Sequence, residues 1–215
     1  MTNFDQRFKI WRDLQALELD AYRESYKKRG DYHGFFSIDK RKDAKKAGER
    51  IAKLCGNCLD IGSGILPRPA YMAANVTFFG LDPFFGEYKR DFPFVQAIGE
   101  YLPFPDKTFD CAAFMSTLDH QIEPIISLRE AYRVLTRDGW LFLWIDLWKE
   151  DSRAYLKWRK APPGTKFNAH HQYAFTGRDI KELFKQSGFV WVSQESIRSP
   201  RNKLAGTMIV GRKPA

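Results

Sequence analysis

The chain has 215 residues, of which 44% are hydrophobic and 15% aromatic, and it carries a formal net charge of +9. This length suits one hydrophobic core rather than two domains, and the apolar content excludes an intrinsically disordered protein. No apolar run is long enough to cross a membrane and the charged first residues lack the apolar core of a secretory signal, so we expect a soluble, cytoplasmic protein.

Two helices are predicted in the first part of the chain. Residues 4–29 place apolar side chains at spacings of three or four, and a basic helix is predicted from Lys40 to Leu54. The basic residues are interpreted first as a solvated helix face, although the positive charge leaves open an anionic partner such as nucleic acid or a lipid surface. We expect the apolar stripe of the first helix to pack over a ligand pocket rather than bind nucleic acid. The stripe contains Phe4, Phe8, Trp11, Leu14, Leu17 and Ala21.

The three cysteines are Cys55, Cys58 and Cys111. An odd and sparse set fits a reducing compartment better than a disulfide framework. Cys55 and Cys58 form one CxxC pair with no second pair downstream, so we expect neither a metal site nor a redox role there.

From Cys58 onward, short apolar runs alternate with helical stretches, which is typical of βαβ units and a parallel sheet. The last two predicted strands have no helix between them and are joined by a loop at Ser199 to Asn202, which indicates an antiparallel hairpin at the sheet edge. The predicted strands are Cys58 to Ile61, Val76 to Leu81, Phe94 to Ile98, Phe109 to Met115, Trp140 to Leu147, Phe189 to Glu195 and Thr207 to Gly211.

The first stretch that indicates chemistry is a strand followed by a glycine turn, Leu59-Asp60-Ile61-Gly62-Ser63-Gly64. Glycine lets the turn bend sharply and lets a ligand approach the backbone. A nicotinamide-binding fingerprint would place a third glycine where Pro67 stands, and a carboxylate next to two phosphates would repel them. Asp60 therefore favours a cofactor without a pyrophosphate, although a purely structural turn is the simpler alternative.

Asp82 ends the second predicted strand. In a Rossmann-type unit, an acidic residue at this point accepts hydrogen bonds from both ribose hydroxyls of an adenosine. By itself, Asp82 could equally cap a following helix before Pro83.

These motifs and several later segments resemble the class I S-adenosylmethionine-dependent methyltransferases, in particular the small-molecule, ubiquinone-biosynthesis-like branch also called methyltransferase type 11. The resemblance covers residues 55–147 and depends on the order and spacing of its elements more than on any one of them. The elements are LDIGSG at 59–64, GLDP at 80–83, EYLPFPDKTFD at 100–110, LRE at 128–130, RVL at 133–135 and Gly139.

The resemblance implies that S-adenosylmethionine is the cofactor, and we expect no metal site. Three turns at the ends of the predicted strands, and the end of the fourth strand, would contact the cofactor. The implied contacts are Asp60, Gly62, Ser63 and Gly64 with the methionine end, Asp82 and Pro83 with the ribose, Ile98, Gly99 and Glu100 with the adenine, and Met115 and Ser116 with the methionine moiety.

The sequence departs from the family pattern at two points. Leu66-Pro67 replaces the usual third small residue of the glycine loop, and Ile98 stands where an acidic residue often faces the adenine amine. Recognition of adenine is therefore left to backbone groups or to Glu100.

Methyl transfer from a sulfonium is an in-line displacement, in which the enzyme aligns the acceptor and excludes water. A hydroxyl acceptor also benefits from a general base, and histidine is the side chain best suited to neutral pH. His120, after the fourth predicted strand, and His171, in a loop before Tyr173, are the catalytic candidates. The alternatives are a helix-entry residue for His120 and a solvated loop residue for His171. Asp146, near the end of the fifth strand, could face the substrate crevice.

We therefore predict an α/β fold, with a Rossmann-like, doubly wound, mostly parallel seven-stranded sheet, an antiparallel edge hairpin and N-terminal helices. Residues 1–54 are expected to form a helical cap, residues 55–147 the cofactor-binding core, and residues 148–215 the substrate-side segment and sheet edge. The expected reaction is methyl transfer from S-adenosylmethionine to an oxygen or nitrogen of a small molecule. The alternatives are an RNA methyltransferase, although no RNA-binding module is seen, and a non-catalytic cofactor-binding or regulatory protein.

Overall fold

The computed structural model describes residues 3–29, 42–69, 71–86, 89–161, 171–197 and 206–215. These residues contain seven strands: β1 (Asn57–Ile61), β2 (Thr77–Asp82), β3 (Phe94–Gln96), β4 (Phe109–Met115), β5 (Leu135–Asp146), β6 (Val190–Ile197) and β7 (Gly206–Arg212). They form one sheet in the order β3-β2-β1-β4-β5-β7-β6. Strands β1 to β5 pair in parallel, whereas β7 pairs antiparallel with both β5 and β6. The predicted Rossmann-like fold and its edge hairpin are confirmed.

Five α-helices and one short 3₁₀ helix accompany the sheet within the described residues. The last helix has the clearest start and stop signals in its sequence. Thr176 and Asp179 form a reciprocal capping box at its start, and Gly188 ends it at a φ of 87°. The helices are α1 (Asn3–Arg29), α2 (Lys42–Ala52), the 3₁₀ helix (Leu118–His120), α3 (Pro124–Val134), α4 (Arg153–Lys160) and α5 (Gly177–Ser187).

The predicted strands are all present, and two of them differ appreciably in their bounds. Strand β5 begins at Leu135, which pairs with Phe109 before an irregularity in the register. Strand β3 ends early because Ile98 leaves the sheet and forms an isolated bridge with Tyr101. The predicted hairpin loop, Ser199 to Asn202, and the predicted start of the second helix at Lys40 lie outside the described residues.

Two hydrophobic layers cover the two faces of the sheet. Successive side chains of a strand point to opposite faces, so Phe114 belongs to one layer while its neighbours Ala113 and Met115 belong to the other. Burial on both faces explains why the central strands are continuously apolar rather than alternating.

Truncation of Phe142 should destabilise the protein strongly. Its side chain is completely buried in the layer that also contains Trp144 and Val210. We expect Phe142→Ala to lower the free energy of unfolding by about 3–5 kcal/mol, measured by urea denaturation. The control Val192→Ala, on the edge strand and 49% exposed, should change it by less than about 0.5 kcal/mol. A loss below about 1 kcal/mol for Phe142→Ala would contradict this packing.

The cysteines differ from the sequence expectation. Cys55 and Cys111 lie together with a Cα–Cα distance of 5.9 Å, which suits a disulfide, whereas the sparse cysteines had indicated no disulfide framework. The physical reason is the sheet order, because β1 and β4 are neighbours although the two cysteines are 56 residues apart in sequence. Cys58 is a buried free thiol, and burial raises its pKa.

The described helices include none with the length and apolarity that a bilayer crossing needs.

Candidate functional site

A cleft of about 440 Å³ opens where β1, β2, β4 and β5 end. Helix α1 contributes Trp11, Gln15 and Glu18 to its wall. The apolar stripe of α1 is only partly covered, because Leu14 is buried whereas other stripe residues stay exposed. The exposed stripe residues are Phe4, Phe8 and Leu17, at 40%, 39% and 48%.

The glycine turn after β1 requires glycine at two positions. Gly62 and Gly64 have φ values of 85° and 71°, in the left-handed region that other residues rarely adopt. A Cβ on Gly62 would also lie 2.6 Å from the side chain of Thr117. The backbone N–H groups of Gly62 and Ser63 both donate to the carbonyl of Leu81, at 2.7 and 3.0 Å, which fastens the turn to β2. A side chain at Gly62 would therefore collide with Thr117, whereas the Cβ position of Gly64 faces open space and Gly64 is required by its φ alone.

Asp82 ends β2 and lines the cleft almost completely buried. Its Oδ2 accepts a hydrogen bond from Gly64 N at 2.8 Å and its Oδ1 accepts one from Phe84 N at 2.9 Å. Residues 83–86 and 89–93 contain no helix, so the alternative role of Asp82 as a helix cap is wrong for the described chain. Each carboxylate oxygen keeps further lone-pair capacity for a ligand hydroxyl.

Burial raises the pKa of Asp82 to about 6, because the two backbone hydrogen bonds and nearby Arg90 offset only part of the desolvation cost. Asp82 is thus mostly ionised at neutral pH.

Asp60 lies behind the wall of the cleft rather than on it. Its side chain is fully buried, and its Oδ2 accepts a hydrogen bond at 2.8 Å from the hydroxyl of Tyr71, which does line the cleft. Its Oδ1 has no hydrogen-bond partner among the described residues. Burial raises the pKa of Asp60 to about 7, and the Tyr71 hydrogen bond lowers it only in part. Tyr71 was not anticipated, because no motif or periodicity marks it in the sequence.

The predicted adenine turn also reaches the cleft. Ile98, Gly99 and Glu100 all line it. Glu100 accepts a hydrogen bond from Glu123 N at 2.9 Å, and burial raises its pKa. One oxygen of Glu100 is thus occupied in holding the start of α3.

The end of β4 is fixed to both neighbouring strands. Ser116 has a φ of 64°, uncommon for a residue other than glycine, and its N–H donates to the carbonyl of Trp144 at 2.7 Å. The Thr117 hydroxyl donates to the carbonyl of Ile61 at 2.6 Å. Met115 and Ser116, both predicted cofactor residues, line the same cleft as the glycine turn.

His120 and His171 lie side by side at the cleft, with ring centroids 4.5 Å apart. The loop that carries His171 is held by the carbonyl of Asp119, which accepts from Gln172 N and Tyr173 N at 3.1 and 3.2 Å. The carboxylate of Asp119 lies 2.7 Å from His171 Nδ1, and Glu18 Oε2 of α1 lies 3.2 Å from His120 Nδ1.

The two histidines differ in charge environment and in access. Burial opposes protonation of His120, but the carboxylates of Asp119 and Glu18 outweigh it and raise its pKa to about 9. Burial would raise the pKa of Asp119, but the two histidines lower it. The His120 side chain is 14% exposed and that of His171 is 43% exposed, so a ligand reaches His171 more easily.

Two acidic residues of this cluster were not predicted as site residues. Asp119 is adjacent to His120 in the sequence, and this adjacency could have indicated its place in the site. Glu18 lies between Leu17 and Leu19 in a long helix, and nothing in the sequence distinguishes it from the other acidic residues of that helix. Asp146, by contrast, lines the cleft as anticipated.

Comparisons with known proteins agree with this geometry. A family model described as a methyltransferase domain matches residues 30–194, about three quarters of the chain. Demethylmenaquinone methyltransferase of Protochlamydia amoebophila is 30% identical over 150 residues, which cover 60% of this chain and 59% of that enzyme. The chain thus matches about three fifths of the length of that relative.

Two solved structures share the fold. A 1,6-didemethyltoxoflavin N1-methyltransferase of Burkholderia thailandensis, solved with 1,6-didemethyltoxoflavin and S-adenosylhomocysteine, has a TM-score of 0.67 at 17% identity and covers 95% of this chain and 90% of its own. A Thermotoga maritima protein, described as a possible histamine N-methyltransferase, has a TM-score of 0.62 at 20% identity over 86% of this chain and 95% of its own. The family match spans more than half of the chain, so the chain belongs to the methyltransferase domain family.

Proposed function

We propose that the protein transfers the methyl group of S-adenosylmethionine to an oxygen or nitrogen of a small molecule bound in this cleft. The observation that carries the proposal is that the glycine turn, the Asp82 carboxylate and the histidine pair all line one cleft of about 440 Å³. That volume is within the range of clefts that bind small molecules.

The residues present fit the cofactor. The Asp82 carboxylate lines the cleft at the end of β2, which supports its assignment to the ribose hydroxyls, and the open space at the Cβ position of Gly64 lets a ligand approach the backbone there. We assign the methionine end of the cofactor to Ser63, Met115 and Ser116. Asp60 contributes there indirectly, by holding the hydroxyl of Tyr71. We assign the ribose and adenine to Pro83, Ile98, Gly99 and Glu100. When bound, S-adenosylmethionine supplies an electrophilic methyl group.

For a hydroxyl acceptor, His171 is the proposed general base. The acceptor proton passes to the ring nitrogen of His171, and the adjacent Asp119 carboxylate, 2.7 Å from Nδ1, stabilises the resulting imidazolium. His120 is less suited to this role, because two carboxylates favour its protonated form and it is less exposed. An amine acceptor that is already neutral needs alignment alone.

A small acceptor is favoured over a polymer because α1 lies over the cleft through Trp11, Gln15 and Glu18. By their names, the Protochlamydia enzyme acts on demethylmenaquinone and the Burkholderia enzyme acts on 1,6-didemethyltoxoflavin. A test is to supply methyl-labelled S-adenosylmethionine with hydroquinones, phenols and heterocyclic amines. We expect the methyl label to appear on at least one of these three classes of compound. Label transferred to RNA and to none of these compounds would contradict the proposal.

Cofactor affinity should weaken as the pH falls. The pKa of Asp82 is about 6 in the free protein, so the carboxylate is ionised above that value and protonated below it. The protonated acid accepts fewer hydrogen bonds and attracts the cationic cofactor less. We expect the dissociation constant to be about tenfold higher at pH 5 than at pH 7, measured by calorimetry. The change in the dissociation constant near pH 6 should disappear in Asp82→Asn and persist in Asp60→Asn. An affinity that does not change across this pH range would contradict the role of Asp82.

A further inference from the structure

The acceptor side of the cleft contains a compact set of metal-ligand groups. One ligand atom each from Asp119, His120 and His171 lie within 4.8 Å of one another. Two imidazoles and a carboxylate are a common donor set for Zn²⁺ and related divalent cations. Two ligand atoms of one tetrahedral zinc ion lie roughly 3.3 Å apart. Small side-chain rotations would therefore bring these three ligand atoms to the distances that one zinc ion requires.

Two further observations indicate a cation rather than a merely packed histidine pair. Asp119 Oδ1 is buried and has no hydrogen-bond partner within the described part of the chain, and it lies 4.0 Å from His120 Nε2. Glu18 lies against the other nitrogen of that ring, His120 Nδ1, at 3.2 Å. A carboxylate on one imidazole nitrogen, with the second nitrogen left for an ion, is the arrangement that orients metal-binding histidines.

We propose that Asp119, His120 and His171 form a binding site for a divalent cation of the zinc class at the acceptor side of the cleft. Both histidines line the cleft, so the remaining coordination position of the ion is reachable from it. A bound ion occupies the imidazole that accepts the substrate proton, and it therefore inhibits methyl transfer. This consequence rests on the proposed function, whereas the binding itself does not.

Cobalt(II) is the probe for this site, because its visible absorption reports coordination by protein groups without any need for activity. The full-length protein, treated with a chelator and then dialysed, should show a saturable band at one Co²⁺ per chain that Zn²⁺ abolishes. His171→Ala and Asp119→Asn should each lose the band. Glu18→Gln should bind about ten- to a hundredfold more weakly. The matched control Asp106→Asn removes an exposed carboxylate paired with Arg133 and should bind as the wild type does.

The outcomes separate the metal site from the proposed function. Absence of a saturable band, or binding that His171→Ala and Asp119→Asn leave unchanged, overturns the site. Titration of the same samples with S-adenosylmethionine reports on the cofactor site independently, so binding of cobalt without binding of the cofactor would contradict the proposed function alone. An undiminished methyl-transfer rate at full occupancy by Zn²⁺ overturns the inhibitory role.

Discussion

Replacing His171 with alanine is expected to lower turnover by about a hundredfold or more for a hydroxyl acceptor, with cofactor affinity nearly unchanged. The side chain is 43% exposed beside the cleft and paired with Asp119, so its loss removes the proposed proton acceptor without opening the core. The proposed cofactor residues lie on the turns after β1, β2 and β3 and at the end of β4, which explains why cofactor binding should survive. Single-turnover rates and calorimetry on the same preparation measure the two quantities.

His120→Ala is the informative comparison. This substitution removes a positive charge from between Asp119 and Glu18, so we expect an effect on stability and a smaller effect on rate than in His171→Ala. A large rate loss in His120→Ala with wild-type rates in His171→Ala would show that the base is assigned to the wrong ring. Wild-type rates in both variants would mean that alignment alone suffices for this acceptor.

Asp82→Ala is expected to weaken S-adenosylmethionine binding by roughly ten- to a hundredfold, which corresponds to about 1.5–3 kcal/mol. The carboxylate accepts from Gly64 N and Phe84 N, and it is the proposed acceptor for the ribose hydroxyls. Its loss therefore affects both the ligand and the loop that surrounds it. Calorimetry gives the affinity, and thermal unfolding in the absence of cofactor checks that the fold is retained.

Asp91→Ala is the control for this substitution. Asp91 is an exposed carboxylate that pairs with Arg68, so its removal should leave the affinity unchanged. If Asp82→Ala binds the cofactor as tightly as the wild type, the ribose assignment is wrong.

The sheet was predictable because each strand carries its own local pattern. Alternation of apolar runs with helical patterns indicated parallel pairing, and the lack of a predicted helix between the last two strands indicated the antiparallel hairpin. Strand ends were less predictable, as the start of β5 at Leu135 shows, because they depend on pairing with a neighbour rather than on the strand's own residues.

The motifs predicted most of the residues that line the proposed cofactor half of the cleft, whereas the proposed acceptor half was predictable only in part. Most residues quoted from the glycine turn and the following strand ends line the cleft, because the carboxyl ends of parallel strands converge there. Asp60 is the exception, since complete burial places it behind Tyr71. His120 and His171 were each predicted as a catalytic candidate, but their contact with one another was not predicted. That contact depends on the carbonyl of Asp119, which holds the loop that carries His171, and no spacing in the sequence reveals this hydrogen bonding.

The most direct test of the central claim is a calorimetric titration of the wild-type protein with S-adenosylmethionine. The geometry of the glycine turn and of Asp82 leads us to expect a saturable heat with one site per chain, and weaker binding in Asp82→Ala. The absence of any saturable heat from a folded protein would contradict the assignment of this cleft as a cofactor site.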